Sequence, residues 1–172
     1  MLVGILSDSH GRCAMVRRAV GLFDSLGAEL IVHCGDVGGV DVFDEMVGRP
    51  LAFVWGNTDE PDPGTLAYLK TVGIHPPDEV PVRVERGGRR IAVFHGHEQG
   101  FSSAIRRLEV EYLFHGHTHV ARDERISGKR VINPGALHRA TRKTVATLDL
   151  CTDQLIFHEI PGAVLGTPPS GG

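Results

Sequence analysis

Cysteine is scarce in this sequence, with three residues among 172. Cys13, Cys34 and Cys151 are an odd number, and none lies close to another along the chain. This pattern argues against the disulfide framework of a small secreted domain and against a CxxC zinc site. We therefore predict a protein of the reducing cytoplasm.

Long apolar runs are also missing. The apolar segment Met1–Leu6 meets Asp8 almost at once and has no basic leader, so it is too short for a signal peptide. No stretch approaches the roughly 18 consecutive apolar residues that a membrane span requires. We therefore predict that the protein has no membrane partner.

The sequence has neither a large excess of charge of one sign nor many aromatic residues. The chain has 18 Lys and Arg against 21 Asp and Glu, a formal charge of −3, so no overall field attracts a polyanion such as duplex DNA. One Trp, two Tyr and seven Phe provide no evident stacking groove for single strands. A nucleic-acid partner is therefore not indicated.

The chain does have the composition of an ordinary globular domain. Hydrophobic residues make up 41% and charged residues 23% of it, which is typical of a domain that folds without disulfides. A length of 172 residues fits one domain. We predict a single domain over residues 1–160, followed by a Gly-, Pro- and Ser-rich tail at 161–172 that we expect to be disordered.

The order of apolar and polar segments predicts an α/β fold. Met1–Ser7 predicts a strand, a helical pattern then extends to Leu26, and Leu30–Cys34 and Leu51–Trp55 predict two further strands. Strands that alternate with helices are typical of a parallel sheet. After His119 several strands follow with little helix between them, which predicts a more antiparallel second half.

Polar side chains that bind metals stand directly after these strands. Open α/β sheets place their ligand sites at the carboxyl ends of their strands. Side chains two positions apart in an extended segment point the same way, so both members of such a pair face one cleft. Five strand ends carry such residues: Asp8 with His10, Asp36, Asn57, His95, and His117 with His119.

The types of these residues predict two metal ions. Mixed carboxylate, amide and imidazole ligands suit Mn, Fe, Ni or Zn better than Mg or Ca. Seven ligands are too many for one open catalytic ion, whereas two ions roughly 3.5–4 Å apart would use them all, as in the two-metal clamp of phosphoryl transfer. Asp36 stands alone between the other groups, so we predict that it bridges the ions.

The same residues belong to an ordered set of motifs. In chain order these are Asp8-Ser9-His10, Gly35-Asp36, Gly56-Asn57-Thr58-Asp59, His95-Gly96-His97, Gly116-His117-Thr118-His119 and Asn133-Pro134-Gly135. The set resembles that of the calcineurin-like metallophosphoesterases, and the short chain is similar to the microbial phosphodiesterase branch that also contains the retromer scaffold subunit. The resemblance implies a sandwich of two mixed β-sheets with helices on the outer faces, the four-layer fold of that family.

The resemblance also implies a dinuclear phosphodiesterase with a small phosphate ester as substrate. A hydroxide held between two divalent ions would attack phosphorus in line, its pKa lowered by the metals. Mn is the first candidate among Mn, Fe, Ni, Zn and Mg, and a homodimer would suit a domain of this size. Metal one would take Asp8, His10, Asp36 and His119, and metal two would take Asp36, Asn57, His95 and His117.

One position departs from the pattern of the superfamily. Many members have a His after the motif Asn, where it is implicated in protonating the leaving group, and this chain has Thr58. A threonine hydroxyl cannot act as an acid near neutral pH, so we expect better turnover of esters with stable leaving groups. His97 is the candidate for supplying the proton instead. The predicted catalytic residues are therefore Asp36, Asn57 and His97.

Each of these residues also has an ordinary explanation when it is taken alone. Asp8 and Asp36 could cap helices, and Asn57 could form a turn. His97 and His115 are equally compatible with orienting a ligand and with a satisfied place in the cleft. Joint placement of the whole set at five strand ends favours the metal site.

Three functions compete for this sequence. The first is a phosphodiesterase, a function that explains why the full set of predicted ligands is present. A protein-binding scaffold of the same fold, as in retromer, would not need that set. A single-strand nuclease or another metal-dependent esterase ranks last, because neither the charge nor the aromatic content supports it.

Overall fold

The computed structural model describes residues 1–162. Residues 163–172 lie outside this part, so the predicted disorder of the tail at 161–172 stays a prediction. The helices are α1 (Cys13–Leu26), α2 (Val40–Asp44), α3 (Pro63–Thr71) and α4 (Phe101–Arg107). The strands are β1 (Leu2–Leu6), β2 (Leu30–His33), β3 (Leu51–Phe53), β4 (Val82–Arg86), β5 (Arg89–Val93), β6 (Tyr112–Phe114), β7 (Arg122–Ile126), β8 (Lys129–Asn133), β9 (Thr144–Asp149) and β10 (Gln154–Glu159).

The first sheet has five strands in the order β10-β9-β1-β2-β3. Its centre is parallel, because β1 pairs with β2 in the same direction, with Val3 beside Leu30, and β2 pairs in the same way with β3. β9 lies antiparallel to β1, and β10 lies antiparallel to β9. The helices α1 and α2 lie in the crossover connections that parallel neighbours require.

The second sheet has the order β4-β5-β6-β8-β7. Strands β5, β6 and β8 are parallel, whereas β4 and β7 form antiparallel edges. The strands after His119 pair mostly antiparallel, as predicted, but they are divided between the two sheets instead of forming one. Strand β8 is parallel to β6 because the β7–β8 hairpin returns the chain beside β6 in that direction.

A large part of the core lies between the two sheets. Alternate side chains of a strand point to opposite faces of its sheet. The inward-facing set includes Val3 and Ile5 of the first sheet and Ile91 and Phe114 of the second, and all four are buried. Burial of these side chains holds the two sheets face to face.

Helices cover the outer face of each sheet. Helix α1 packs its buried residues, which include Val16 and Phe23, against the first sheet. Helix α4 packs Ile105 against Leu113 of the second sheet. The order of layers is therefore helix, sheet, sheet, helix, which confirms the predicted four-layer sandwich. None of the helices within residues 1–162 is long and apolar enough to cross a membrane.

The carboxyl ends of the parallel strands of both sheets meet at one edge of the sandwich. The loop after β6 reaches the loop after β1, since the backbone N–H of His117 donates to Asp8 Oδ2 at 3.2 Å. The loop after β5 reaches the end of β2, where His95 Nδ1 lies 2.8 Å from the carbonyl oxygen of Cys34. The fold thus brings the predicted ligands from both halves of the chain to a single edge.

Candidate metal centre

Backbone hydrogen bonds continue beyond the central strands and fix the loops that follow them. In the first sheet, the N–H of Asp8 donates to the carbonyl of Gly35 at 3.0 Å. In the second sheet, the N–H of Gly116 donates to the carbonyl of His95 at 2.9 Å. The positions of the candidate ligands are therefore set by the sheets themselves and not by free loops.

Most of the candidate ligands share an unusual backbone conformation. Their φ angles lie in the left-handed region, which residues other than glycine rarely adopt. Such strain persists where the surrounding structure fixes it, and it clusters at functional sites. Eight non-glycine residues of the described chain have positive φ, and five of them are predicted ligands: Asp8 (53°), His10 (43°), Asp36 (54°), His117 (66°) and His119 (59°).

The first group of ligand side chains comprises Asp8, His10 and His119, whose ligand atoms all lie within 4.8 Å of one another. Asp8 Oδ1 is 3.1 Å from His119 Nε2. This contact lacks the angles of a hydrogen bond. Asp8 Oδ1 and His10 Nε2 are both buried, and neither atom has a hydrogen-bond partner among the described residues. Burial raises the pKa of Asp8. Buried polar atoms normally have partners, so these two atoms indicate a ligand that the chain itself does not supply.

The second group comprises Asn57, His95 and His117. Asn57 Oδ1 lies 3.0 Å from His95 Nε2 and 2.9 Å from His117 Nδ1. Because His95 Nδ1 faces the carbonyl oxygen of Cys34, which only accepts, Nδ1 carries the proton of the neutral imidazole and Nε2 presents a lone pair. His95 Nε2 and Asn57 Oδ1 therefore face each other as two acceptors, an arrangement that a cation satisfies.

The carboxylate of Asp36 lies between the two groups. Its Oδ2 is 3.4 Å from His10 Nε2 and 3.5 Å from His95 Nε2. Its Oδ1 accepts a hydrogen bond from the N–H of Thr58 at 2.9 Å. Burial opposes ionisation of Asp36, but the hydrogen bonds from Thr58 and the nearby imidazoles outweigh it and lower the pKa. Asp36 is therefore ionised at neutral pH.

The seven predicted ligands thus lie together, and their chemistry fits divalent metal ions. Asp8, Asp36 and His95 also have ligand atoms within 4.8 Å of one another, which connects the two groups. Oxygen and imidazole donors in such a mixture suit borderline first-row ions. Two buried carboxylates provide negative charge to offset the charge of the ions.

Two glycines allow the loops to crowd around these carboxylates. A Cβ on Gly56 would lie 2.1 Å from Asp36 Oδ1. A Cβ on Gly116 would lie 1.9 Å from the hydroxyl of Ser7 and 2.7 Å from Asp8 Oδ2. Any side chain at either position would displace a carboxylate, so both glycines are required by close approach.

The sequence did not reveal the part played by Asp59. Its carboxylate accepts three backbone N–H groups: Val37 at 3.0 Å, Gly38 at 2.9 Å and Gly56 at 2.8 Å. These bonds join the loop after β2 to the loop after β3, and each of these loops carries a candidate ligand. The place of Asp59 in its motif is the only signal in the sequence that pointed to it.

Two further polar side chains hold ligand loops of the second sheet. Glu98 accepts the N–H of His95 and the N–H of Gly96, both at 2.7 Å. Asn133, fully buried, donates to the carbonyl of Gly116 at 2.7 Å. The sequence analysis identifies Asn133 only as part of a motif, and Glu98 lies in no motif, so neither contact was predicted.

A buried link between Ser9 and His33 joins the loops of the first sheet. The Ser9 hydroxyl donates to the carbonyl of Val37 at 2.9 Å and therefore accepts from His33 Nε2 at 2.8 Å. The N–H of Gly35 donates to His33 Nδ1 at 3.2 Å, which fixes the tautomer of His33. The sequence offers no motif for His33, whose function here is to hold two loops in place.

The two remaining histidines of interest occupy different places. His97 is exposed, and its ring centroid lies 5.3 Å from that of His95 and 6.1 Å from that of His117. His115 is buried behind the ligands, with its ring 5.1 Å from that of Phe101. Of the two, only His97 is placed where a substrate could reach it.

A family comparison agrees with this geometry. The family model of the calcineurin-like phosphoesterase superfamily domain matches residues 1–153. The chain belongs to this superfamily, and it is a metal-dependent hydrolase of phosphate esters. The resemblance predicted from the motifs is thereby confirmed.

Individual known proteins are similar to this chain. A phosphodiesterase of Methanocaldococcus jannaschii is 28% identical over 138 residues, which cover 78% of this chain and 83% of the relative. The solved structure of a novel archaeal phosphodiesterase has a TM-score of 0.83 at 25% identity and covers 92% of this chain and 99% of its own. Vps29 of Entamoeba histolytica, solved with zinc, has a TM-score of 0.64 at 20% identity over 92% of this chain and 91% of its own, a likeness of fold alone.

Replacing Asp59 with alanine tests whether its three hydrogen bonds position the ligand loops. We expect Asp59→Ala to bind metal roughly 10- to 100-fold more weakly, as loss of groups that orient ligands generally does. Asp62→Ala is the matched control, because the Asp62 carboxylate caps α3 by accepting the N–H of Thr65 at 2.9 Å. That control should lose about 1 kcal/mol of stability and keep its metal affinity. Equal affinities in calorimetric titrations of both variants would refute the positioning role.

The buried His33 predicts a dependence of stability on pH. Burial lowers the pKa of His33 from 6.5 to about 4. Between these values the unfolded chain binds a proton that the folded chain does not, so the free energy of unfolding decreases as the pH falls through this window. The contribution reaches at most about 1.4 kcal/mol per pH unit. Urea unfolding of the metal-free protein at several pH values should show a shallower slope for His33→Gln than for the parent.

The exposed His75 provides the control for this measurement. His75→Gln should leave the pH dependence of unfolding as it is in the parent. If the free energy of unfolding of His33→Gln changes with pH as steeply as that of the parent and of His75→Gln, His33 is not the buried, uncharged histidine that causes the pH dependence.

Proposed function

We propose that the chain is a dinuclear phosphodiesterase whose two divalent ions bind at the shared edge of the sheets. The observation that carries this proposal is the position of the Asp36 carboxylate, 3.4 Å from His10 Nε2 and 3.5 Å from His95 Nε2, between the two ligand groups. Metal one would be held by Asp8, His10, Asp36 and His119, and metal two by Asp36, Asn57, His95 and His117.

When bound, the ions would lower the pKa of a water for in-line attack on phosphorus and neutralise the phosphate oxygens. The chain prepares the site for this reaction. The hydrogen bond from His95 to the carbonyl of Cys34 fixes a tautomer with the Nε2 lone pair in the site, so no proton must move before a ligand binds. Asn57 turns its Oδ1 toward the two ligand histidines, which leaves its Nδ2 to donate to a phosphate oxygen.

Protonation of the leaving oxygen is assigned to His97 in this proposal. Its exposed imidazole lies beside the second ligand group, within reach of solvent and substrate. Thr58, at the position of the superfamily histidine, lies with its hydroxyl 3.5 Å from His10 Nδ1 and has no acidic proton to give. Position 58 therefore supplies no acid, and esters whose alcohols are stable as anions should depend least on the proton from His97.

A phosphodiester is favoured over a monoester by the comparisons. The Methanocaldococcus jannaschii relative is named a phosphodiesterase, and the structure with a TM-score of 0.83 is that of an archaeal phosphodiesterase. The substrate would be a small phosphate ester. Mn is the first choice among the metals that suit these ligands, because availability decides between such ions. The cytoplasmic location and the homodimer stay predictions.

The first test combines metal content with hydrolysis of bis(para-nitrophenyl) phosphate. We expect two bound ions per parent chain and turnover of the diester. Asp36→Asn and His117→Ala should each lose kcat/KM by at least roughly 100-fold, because each removes a ligand. His75→Ala is the control, since this exposed histidine lies outside the centre. A folded parent that binds no metal and stays inactive after addition of Mn would favour the scaffold function instead.

The Thr58→His variant tests the explanation for the missing acid. A histidine at this position should raise kcat/KM for a dialkyl phosphodiester relative to the aryl diester by at least roughly ten-fold, because only the alkyl leaving group needs a proton. Thr58→Ser keeps the hydroxyl and should leave the ratio unchanged. The explanation fails if the rates for both substrates in Thr58→His equal those of the parent.

A further inference from the structure

A pocket of about 620 Å³ opens beside the candidate centre. It lies between the loop after β6, the loop after β8 and the edge strand β10. His119, a predicted ligand of metal one, forms part of its wall, so a molecule bound at the metals is continuous with this space. Pockets of this size hold small organic ligands.

The walls of the pocket expose large apolar side chains. Val120 is 65% exposed and Phe157 is 38% exposed, and both line the pocket. Ala121 and Ala140 lie in the same wall and add further apolar surface. Exposed apolar surface that gathers in one concave region marks a place where an apolar group binds.

The charge at the rim of this pocket is positive. Arg142 is neutralised by Glu159, whose Oε2 lies 2.9 Å from Arg142 Nη2. Arg139, exposed at the rim, forms no ion pair or side-chain hydrogen bond within residues 1–162, and its φ of 51° is another left-handed value in this region. An unpaired guanidinium beside an apolar wall favours an anion with an apolar substituent.

We propose that this pocket binds the ester group that a phosphodiester substrate retains, and that it selects an aromatic group at that position. The inference rests on the proposed phosphodiesterase function and deepens it. The aromatic group packs on Val120 and Phe157, and Arg139 faces the negative charge of the phosphate. The structure thereby assigns the substrate class as phosphodiesters with an aromatic substituent on the retained side.

Two diesters with the same leaving group isolate this effect. Bis(para-nitrophenyl) phosphate retains an aryl group, whereas methyl para-nitrophenyl phosphate retains a methyl group. Comparing the ratio of their kcat/KM values between variants cancels their intrinsic reactivities. We expect Phe157→Ala to lower the aryl-to-methyl ratio roughly ten-fold through a loss of kcat/KM for the aryl ester, as loss of one apolar contact in a pocket does. Val120→Ser should act in the same direction.

Ile156 provides a matched control on the same strand. It neighbours Phe157 on β10 and is 46% exposed, but it does not line the pocket. Ile156→Ala should keep the parent's ratio and metal content. Calorimetric affinities for phenylphosphonate and methylphosphonate, which are not hydrolysed, give a second measurement that is independent of turnover. The parent should prefer the phenyl compound, and Phe157→Ala should lose that preference.

The outcomes separate this inference from the function on which it rests. A parent that hydrolyses neither diester overturns the phosphodiesterase proposal and the inference with it. A parent that hydrolyses both, with an aryl-to-methyl ratio that is the same in Phe157→Ala and Ile156→Ala, overturns the inference alone. A fall of both rates together in Phe157→Ala, with loss of metal, would assign Phe157 to the fold and also overturn it.

Discussion

The Asp36 carboxylate between two imidazoles is the contact on which the organisation of the site depends. It holds negative charge in a buried position, beside His10 of one ligand group and His95 of the other. Such a charge is costly to bury unless hydrogen bonds or a cation compensate it. The N–H of Thr58 provides one hydrogen bond, whereas Asp8 Oδ1 and His10 Nε2 have no hydrogen-bond partner among the described residues. The fold has therefore gathered acceptors that are satisfied by metal ions.

Hydrogen bonds from neighbouring side chains hold the surrounding loops, and with them these acceptors, in place. Asp59 joins the loops after β2 and β3 through three backbone N–H groups, and Glu98 and Asn133 hold the loops of the second sheet. The positive φ angles of five of the seven candidate ligands are the strain that these contacts maintain. Rigid positioning of this kind means that metal binding requires little reordering of the chain.

Much of the site was predictable because residue type and strand position report directly on metal chemistry. The seven predicted ligands follow strands in an ordered set of motifs, and the structure places all seven at one edge. The role of Asp59 was not predictable, because its carboxylate accepts backbone N–H groups of a loop that is distant in sequence. His33 likewise contacts the hydroxyl of Ser9, 24 residues away, whereas Glu98 accepts N–H groups two and three residues before it but lies in no motif. A sequence shows which side chains can ligate, but not which side chains hold those ligands in place.

The sequence alone determined the alternation of strands and helices, the types of the candidate ligands and the family. The first depends on local pattern, and the other two depend on residue types that metal binding requires. Only the tertiary structure decided how the last strands divide, with β8 joining the second sheet and β9 and β10 joining the first. It also decided that Val120 and Phe157, far apart in the chain, form one pocket beside His119. Strand pairing and pocket shape result from contacts between distant segments, and local pattern carries no information about which segments meet.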